Sequence, residues 1–272
     1  SIKYLHKIDS IMKTILDEIV AQKRKEIKEK QQVTSIEDFR NSENFILPVI
    51  SAKASILDES KSGIIAEFKR KSPSKGFINK DAKVKDIVTG YETYGASVVS
   101  VLTDKEFFGG SFEDLQQAKE VLNIPILRKD FIVDEYQVYE TKAIGADLML
   151  LIAECLTKDE VYNLAKTAKE IGLEVLLELH SEDQLDKVND FIDLIGINNR
   201  NLKTFEVDIE KSKQILKQLP QDLIKVAESG ISDPKTVKEL RKTGFQAFLI
   251  GENFMKNENP VEAFQEFTKQ SK

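Results

Sequence analysis

Short apolar runs alternate with helical patterns along most of this chain. The runs are rich in β-branched residues and leucine, and they occupy residues 63–68, 97–102, 124–129, 147–152, 173–178, 192–197, 224–228 and 246–250. Amphipathic patterns such as Val161-Leu164-Ala165-Ala168 lie between most of them. Strands that alternate with helical crossovers predict a parallel sheet. Eight such units over this length predict an α/β fold, a closed (β/α)8 TIM barrel.

A doubly wound open sheet is the alternative, because it also alternates strands with helices. No Gly-x-Gly-x-x-Gly fingerprint follows the first apolar run. This weakens the dinucleotide-binding form of that alternative.

The segment before the first run predicts a helical extension. Apolar residues at helical spacing indicate a first helix: Met12, Ile15, Leu16, Ile19 and Val20. Its charged continuation, residues 23–28, is interpreted as a solvated helix end, with an anionic ligand as the alternative. Thr34 and Glu37 have capping-box spacing, which predicts a short second helix, and residues 41–62 are interpreted as a connection. We therefore predict one domain over residues 1–272, with the extension over 1–62 and the barrel over 63–272.

Charged residues recur at the carboxyl ends of the predicted strands. Residues two apart share a face of a strand, and in five runs an apolar residue precedes a polar one on the same face. These series are Ile65, Glu67, Lys69; Leu127, Lys129, Phe131; Leu176, Glu178; Leu194, Gly196, Asn198, Arg200; and Val226, Glu228, Gly230. If the apolar members fill the barrel, the charged members meet at its mouth, where barrel enzymes carry out their chemistry.

A single Glu or Lys at a strand end is usually a solvated loop residue. Three carboxylates and two lysines at matching ends are harder to explain in that way, because charges are rarely buried without partners. Gathered at one mouth, they perturb one another's pKa values, as acid–base catalysis requires.

The loops after the last two strands suggest an anion site. They read Glu228-Ser229-Gly230 and Ile250-Gly251-Glu252. Glycine permits close approach of a ligand to the backbone, and these two loops form the usual phosphate site of such barrels. The alternative is that both glycines only turn the chain. After the first strand, the basic loop 68–76 is either a solvated turn or a grip for a second anionic group.

Composition narrows the function classes. The 272 residues carry a formal net charge of -6, which argues against a general nucleic-acid binder. Cys155 is the sole cysteine, so no intrachain disulfide or cysteine-based zinc site is expected, and a reducing compartment such as the cytoplasm fits best. The apolar runs are too short to span a membrane, so no membrane association is expected.

Several motifs, in their order and spacing, resemble the indole-3-glycerol-phosphate synthase family over nearly the whole chain. They are Ala66-Glu67-Phe68-Lys69-Arg70-Lys71-Ser72-Pro73-Ser74, Phe107-Phe108-Gly109-Gly110-Ser111, Leu127-Arg128-Lys129-Asp130-Phe131-Ile132, Ile197-Asn198-Asn199-Arg200-Asn201-Leu202 and Ala227-Glu228-Ser229-Gly230. The resemblance implies a carboxy-lyase of tryptophan biosynthesis that needs no cofactor or metal. Its reaction converts 1-(2-carboxyphenylamino)-1-deoxyribulose 5-phosphate into indole-3-glycerol phosphate, CO2 and water.

The resemblance also implies residue roles. Lys129 is expected to be the general acid for ring closure, and Glu178 the acid/base for dehydration. Glu67 and Lys69 join the catalytic group, although Lys69 can equally hold the substrate carboxylate. The expected substrate-binding residues are Ser72, Phe108, Phe131, Asn198, Arg200, Glu228, Ser229, Gly230, Leu249 and Gly251, of which Ser229, Gly230 and Gly251 are phosphate candidates.

Three other functions stay open. Lys129 can act as the nucleophile of a Schiff-base lyase if neighbouring cations depress its pKa. The second is a phosphosugar isomerase of the same pathway. The third is a barrel that binds a phosphoanion or a partner without turnover. The small phosphosugar substrate is the only partner expected, because the resemblance implies a monomer and the chain holds one barrel with no fused partner domain.

Overall fold

Eight parallel strands close into a barrel in the computed structural model. The model describes the backbone of residues 2–198 and 208–272, and the side chains of 15–198, 208 and 210–272. In chain order the barrel strands are Ile64–Phe68, Val98–Leu102, Ile126–Lys129, Leu148–Ile152, Glu174–Leu179, Leu194–Asn198, Ile224–Glu228 and Ala247–Ile250. They are called the first to eighth strands below.

Each strand pairs in parallel with the next, and the first strand pairs with the eighth through Ile65 and Leu249. The closed barrel predicted from the alternation is therefore confirmed, and the open sheet is wrong. The register also brings strand ends together. Glu178 lies opposite Gly196 between the fifth and sixth strands, and Asn198 lies opposite Glu228 between the sixth and seventh.

Two apolar clusters separate the two faces of the strands. The inner cluster fills the barrel and takes alternate strand residues, among them Ile65, Leu127, Leu176, Leu194 and Val226. The outer cluster lies between the strands and the helices. Four of these inner residues, Ile65, Leu127, Leu176 and Val226, precede a charged residue by two positions, so the predicted alternation of faces holds in these strands.

Helices cover the outside of the barrel. Those that follow the first strand are α5 (Val84–Thr93), α6 (Phe112–Val121), α7 (Glu135–Ala143), α8 (Lys158–Glu170), α9 (Ile209–Leu216), α10 (Pro234–Thr243), α11 (Glu252–Met255) and α12 (Pro260–Ser271). The connection after the fifth strand carries a 3-10 helix, Glu182–Lys187, in place of an α-helix. Among the described residues, no helix is long and apolar enough to cross a membrane.

The N-terminal extension is more helical than the sequence pattern indicates. It forms α1 (Ile2–Gln31), α2 (Ile36–Arg40), α3 (Glu43–Ile46) and α4 (Ala52–Leu57). The predicted cap at Thr34 and Glu37 is wrong by one residue, because Ser35 and Asp38 form the capping box. The connection predicted over 41–62 contains α3 and α4, which are too short to show a helical period.

The extension spans the barrel from its mouth to its base. At the mouth, Ile19 of α1 joins the inner cluster, whereas Ala52 and Ile56 of α4 join the same cluster from the other end. At that end the backbone N–H of Lys53 donates to Glu174, which begins the fifth strand, at 3.1 Å. The extension therefore closes the barrel floor and leaves the strand ends at the mouth to form a site.

Lys23 of α1 contradicts the prediction of a solvated helix end. Its side chain is 4% exposed, and its Nζ lies 2.8 Å from Asp104 Oδ2 and 3.1 Å from Asp130 Oδ1. Lys23 thus pairs with carboxylates of the chain itself, whereas Arg24 in the same run is half exposed. A run of charged residues does not indicate which of its side chains will be buried against partners that are distant in the sequence.

Candidate active site

The mouth of the barrel holds a buried ion pair between the first and third strands. Lys129 Nζ lies 3.1 Å from Glu67 Oε2, and Lys69 Nζ lies 3.5 Å from Glu67 Oε1. Ser100, on the second strand, donates to Glu67 Oε2 at 2.9 Å. Burial alone would raise the pKa of Glu67, but Lys129 and Lys69 hold it below its usual range. Glu67 is therefore a carboxylate that holds two lysines in place.

A second pair of carboxyl groups comes from the fifth and seventh strands. Glu178 and Glu228 are both buried and interact directly. Burial and the Glu178 carboxylate raise the pKa of Glu228 well above its usual range. Burial opposes ionisation of Glu178 too, but hydrogen bonding from Glu228 and the proximity of His180 and of the Lys129 ammonium group hold its pKa below the usual range. The opposite directions of the two shifts mean that a proton held by the pair favours Glu228 over Glu178.

Gly196 makes room for this pair. A Cβ atom at Gly196 would lie 2.2 Å from Glu228 Oε1 and 2.7 Å from its Cδ, which is too close for any side chain. Gly251 makes room for Glu67 in the same way, since a Cβ atom at Gly251 would lie 2.9 Å from Cβ of Glu67. Both glycines thus let acidic side chains turn into the mouth, a role that sequence reasoning did not assign to either.

The four carboxyl and ammonium groups set one another's charge. Burial alone would lower the pKa of Lys129, but the carboxylates of Glu67, Glu178 and Glu228 raise it above the usual lysine range. Lys129 is therefore an ammonium ion with a proton to donate. Lys129, Glu178 and Glu67 come from different strands, and the structure brings these three predicted acid–base residues together at the mouth.

The aromatic candidates line the mouth beside this cluster. Phe108 and Phe131 pack with ring centroids 6.0 Å apart, and both contact the inner cluster. Asp104 holds the loop that carries Phe108, because its Oδ1 accepts the backbone N–H of Phe108 at 3.1 Å. Leu249 also belongs to the inner cluster and lies opposite Glu228 in the register.

The predicted phosphate loop has an unusual backbone. Ser229 and Gly230 follow Glu228 directly, with φ of 65° and 70°. A left-handed serine costs about 1 kcal/mol and is retained where function or packing requires it. Glu252, the first residue of α11 after the eighth strand, forms an ion pair with Lys75 of the basic loop. The structure therefore links the basic loop to this side of the mouth.

Three further predicted substrate-binding residues are Ser72, Asn198 and Arg200. Ser72 is buried in a small β-hairpin whose two strands are Lys71–Ser72 and Gly76–Phe77. Its Oγ accepts the backbone N–H of Lys75 at 3.3 Å. Asn198 ends the sixth strand, with Nδ2 3.4 Å from His180 Nε2. Arg200, the remaining predicted substrate-binding residue, lies outside the described residues.

Sequence reasoning missed two polar residues of the mouth, Ser100 and His180, and the buried ion pairs of Lys23. Ser100 follows Val98 on the inner face of the second strand, and His180 follows Glu178 on that of the fifth, so the same two-residue alternation would have found both. Lys23 has no such signal, because its partner Asp104 is 81 residues away.

A closed (β/α)8 barrel with buried acids, an ammonium donor and aromatic rings at its mouth is characteristic of an enzyme that acts on a small molecule. The model of the family described as indole-3-glycerol phosphate synthase matches residues 16–267. This chain belongs to that family, which confirms the resemblance inferred from the motifs.

Relatives with the same description support the assignment. The indole-3-glycerol phosphate synthase of Bacteroides thetaiotaomicron is 52% identical over 258 residues, covering 95% of this chain and 99% of that protein. The one from Thermoanaerobacter pseudethanolicus is 42% identical over 265 residues, covering 95% and 98%.

Solved structures support the fold alone. The 3-hexulose-6-phosphate synthase from Salmonella typhimurium has a TM-score of 0.61 at 13% identity, covering 76% of this chain and 97% of that one. The KGPDC structure from Streptococcus mutans has a TM-score of 0.58 at 16% identity, covering 76% and 96%.

Proposed function

We propose that this chain closes the indole ring of 1-(2-carboxyphenylamino)-1-deoxyribulose 5-phosphate, which gives indole-3-glycerol phosphate, CO2 and water. The synthase activity, a carboxy-lyase activity, follows from the family to which the chain belongs. The observation that carries the residue roles is the position of Lys129, an ammonium group 3.1 Å from Glu67 at the same mouth as the Glu178 and Glu228 pair.

Ring closure makes a carbon–carbon bond to the substrate carbonyl, and negative charge develops on its oxygen. Lys129 donates a proton to that oxygen as the general acid. Glu67 keeps Lys129 charged and in place. Lys69, held by the other oxygen of Glu67, serves either this step or the substrate carboxylate that leaves as CO2.

Dehydration needs a base to remove a proton and an acid to protonate the departing hydroxyl. Glu178 takes the shared proton from Glu228 and donates it to the departing hydroxyl as the acid. The resulting carboxylate then removes the substrate proton as the base, which restores one proton to the pair. Asn198 and Glu228 hold the sugar, while Phe108, Phe131 and Leu249 contact the anthranilate ring. Ser229, Gly230 and Gly251 bind the phosphate, with Ser72 approaching from the basic loop, and Arg200 is the remaining binding candidate.

We also propose that residues 1–62 and 63–272 form one domain, and that the protein acts as a monomer in the cytoplasm on a small phosphosugar. The direct contacts of Lys23 and Ala52 with barrel residues support the single domain.

Indole fluorescence from the carboxyphenylamino substrate tests the activity. We expect fluorescence to grow on addition of the protein, with one CO2 released per indole formed. The Schiff-base lyase is disfavoured, because it needs a neutral Lys129, whereas the surrounding carboxylates raise the pKa of this residue. Borohydride that traps substrate on the protein, with no indole formed, would contradict the synthase and favour the lyase.

A further inference from the structure

His180 lies beside the carboxylate of Glu178 and has no role in the chemistry proposed above. It directly follows the fifth strand and continues the inward series of Leu176 and Glu178. Its Nε2 atom lies 3.6 Å from Glu178 Oε2 and 3.4 Å from Asn198 Nδ2. One ring nitrogen thus lies beside both Glu178, the proposed acid/base, and Asn198, a proposed substrate-binding residue.

The backbone of His180 is fixed on both sides. Its N–H donates to Oε1 of the buried Gln184 at 2.8 Å, and its carbonyl accepts from Lys211 Nζ at 3.3 Å. Gln184 is itself held by a hydrogen bond to Glu154. The imidazole therefore enters the mouth from a rigid base rather than from a free loop.

The other ring nitrogen settles which tautomer this position favours. Nδ1 is buried and has no hydrogen-bond partner among the described residues. A proton on Nδ1 would bury an unpaired donor and turn a lone pair of Nε2 toward the Glu178 carboxylate, and both features are unfavourable. A proton on Nε2 instead points at Glu178, and Asn198 can present its amide oxygen to the same group.

We propose that His180 is a positioning residue, whose Nε2–H group donates to Glu178, fixes the direction of that carboxylate and keeps it ionised while Glu228 holds the shared proton. This inference rests on the proposed function. The titratable groups on the elements around His180 are Glu178, Glu228 and Lys129 of the strands, Lys211 of α9, and Glu154 and Cys155 of the 3-10 helix Ala153–Cys155.

Two amide substitutions separate this role from packing. In His180→Gln the side-chain N–H group reaches the position of Nε2, whereas in His180→Asn it reaches only that of Nδ1. We expect the Asn variant to lose about tenfold or more in kcat, the scale of one hydrogen bond to a charged group. The Gln variant should stay within about threefold of the wild type, because it keeps the donor.

The pH profile gives a second readout that packing alone would not move. His180 contributes to the lowered pKa of Glu178, so removal of its Nε2–H group is expected to raise that pKa. Glu178 must be a carboxylate to remove a proton. The acid limb of kcat/KM is therefore expected to move to higher pH in His180→Asn. Equal kcat in the wild type and both variants, with no shift of the acid limb, would overturn the proposal. Equal losses of kcat in the two variants, in proportion to their losses of stability, would also overturn it.

Nitrogen-15 NMR tests the tautomer without any turnover. The chain has two histidines, His6 and His180, so His6→Gln assigns the remaining signals. We expect neutral His180 to carry its proton on Nε2. An Nδ1–H tautomer in an active wild type would overturn the inference alone. A wild type that forms no indole would instead overturn the proposed function, and the role of His180 with it.

Discussion

Arg128 and Lys129 are neighbours on the third strand, yet they belong to opposite faces and to different kinds of charge network. All five N–H bonds of Arg128 have partners within 3.2 Å on the outer face: Thr103, Gln137, Thr141, Asp130 and Glu140. Lys129 points into the mouth, where Glu67 is its hydrogen-bond partner among the described residues. Its ammonium group therefore keeps N–H bonds for a substrate.

The outer network ties the extension to the barrel. Asp130 binds Arg128 at 3.2 Å and Lys23 of α1 at 3.1 Å, and Lys30 reaches Glu140 at 3.5 Å. Every charge there has an opposite partner within the chain. The mouth instead buries three acids around two lysines, and burial and the Glu178 carboxylate raise the pKa of one of those acids, Glu228. A saturated network stabilises the fold, whereas an unsaturated one is available for chemistry.

Arg128→Met is expected to have the largest effect, and on stability. It leaves Glu140 and Asp130 buried with one strong partner fewer each, so the free energy of unfolding should fall by about 3–5 kcal/mol. Urea unfolding measures this. Lys129→Met is the matched control and should cost no more than about 1 kcal/mol, since Lys69 and Ser100 remain on Glu67. Equal losses in the two variants would remove the distinction between the networks.

Lys129→Met and Glu178→Gln are expected to lower turnover at least about a hundredfold each, the usual scale for acid–base groups. Steady-state indole fluorescence gives kcat, and circular dichroism checks that both variants fold. Near-wild-type turnover in both would show that the mouth charges do not carry the reaction.

Gly196→Ala is expected to lower kcat/KM about tenfold, because the added methyl group must push Glu228 away from Glu178. A double-mutant cycle checks the cause. Once Glu228→Ala is present, the Gly196→Ala change should cost much less than it does alone, because the side-chain atoms that the methyl group would meet are gone. A full additional loss in that background would mean that Gly196 acts through other contacts.

The pH dependence of stability should have opposite signs in the two networks. Burial and the Glu178 carboxylate raise the pKa of Glu228, so its contribution to stability is present below about pH 4 and is lost as the pH rises. Glu228→Gln should therefore match the wild type near pH 4 and gain about 1 kcal/mol toward pH 7.

Asp130→Asn on the outer face is the control for that measurement. Burial alone would raise the pKa of Asp130, but Arg128 and Lys23 lower it, so its contribution is present at neutral pH and is lost in acid. The variant should be less stable than the wild type at pH 7, and the deficit should shrink below about pH 4. Parallel pH profiles for Glu228→Gln and Asp130→Asn would contradict the contrast.

Much of the mouth follows from local sequence. The period of two in each strand carries Glu67, Lys129, Glu178 and Glu228 to one face, because the apolar residue before each of them must enter the barrel. The same period extends to Ser100, which lies two residues after the inner residue Val98.

Long-range partners do not follow from local sequence. Nothing near Lys23 indicates that Asp104 and Asp130 will bury it. The short helices α3 and α4 are likewise fixed by packing and by hydrogen bonds to the barrel floor, such as that of Lys53 with Glu174, rather than by a period of their own.

Single-turnover kinetics of Lys129→Arg tests the central claim most directly. Arginine keeps a positive charge at every accessible pH but does not release a proton, so it separates charge from proton donation. If Lys129 is the general acid, indole formation by Lys129→Arg should be as slow as in Lys129→Met, at least about a hundredfold below the wild type. Indole formation at close to the wild-type rate would contradict proton donation and leave Lys129 with a purely electrostatic role.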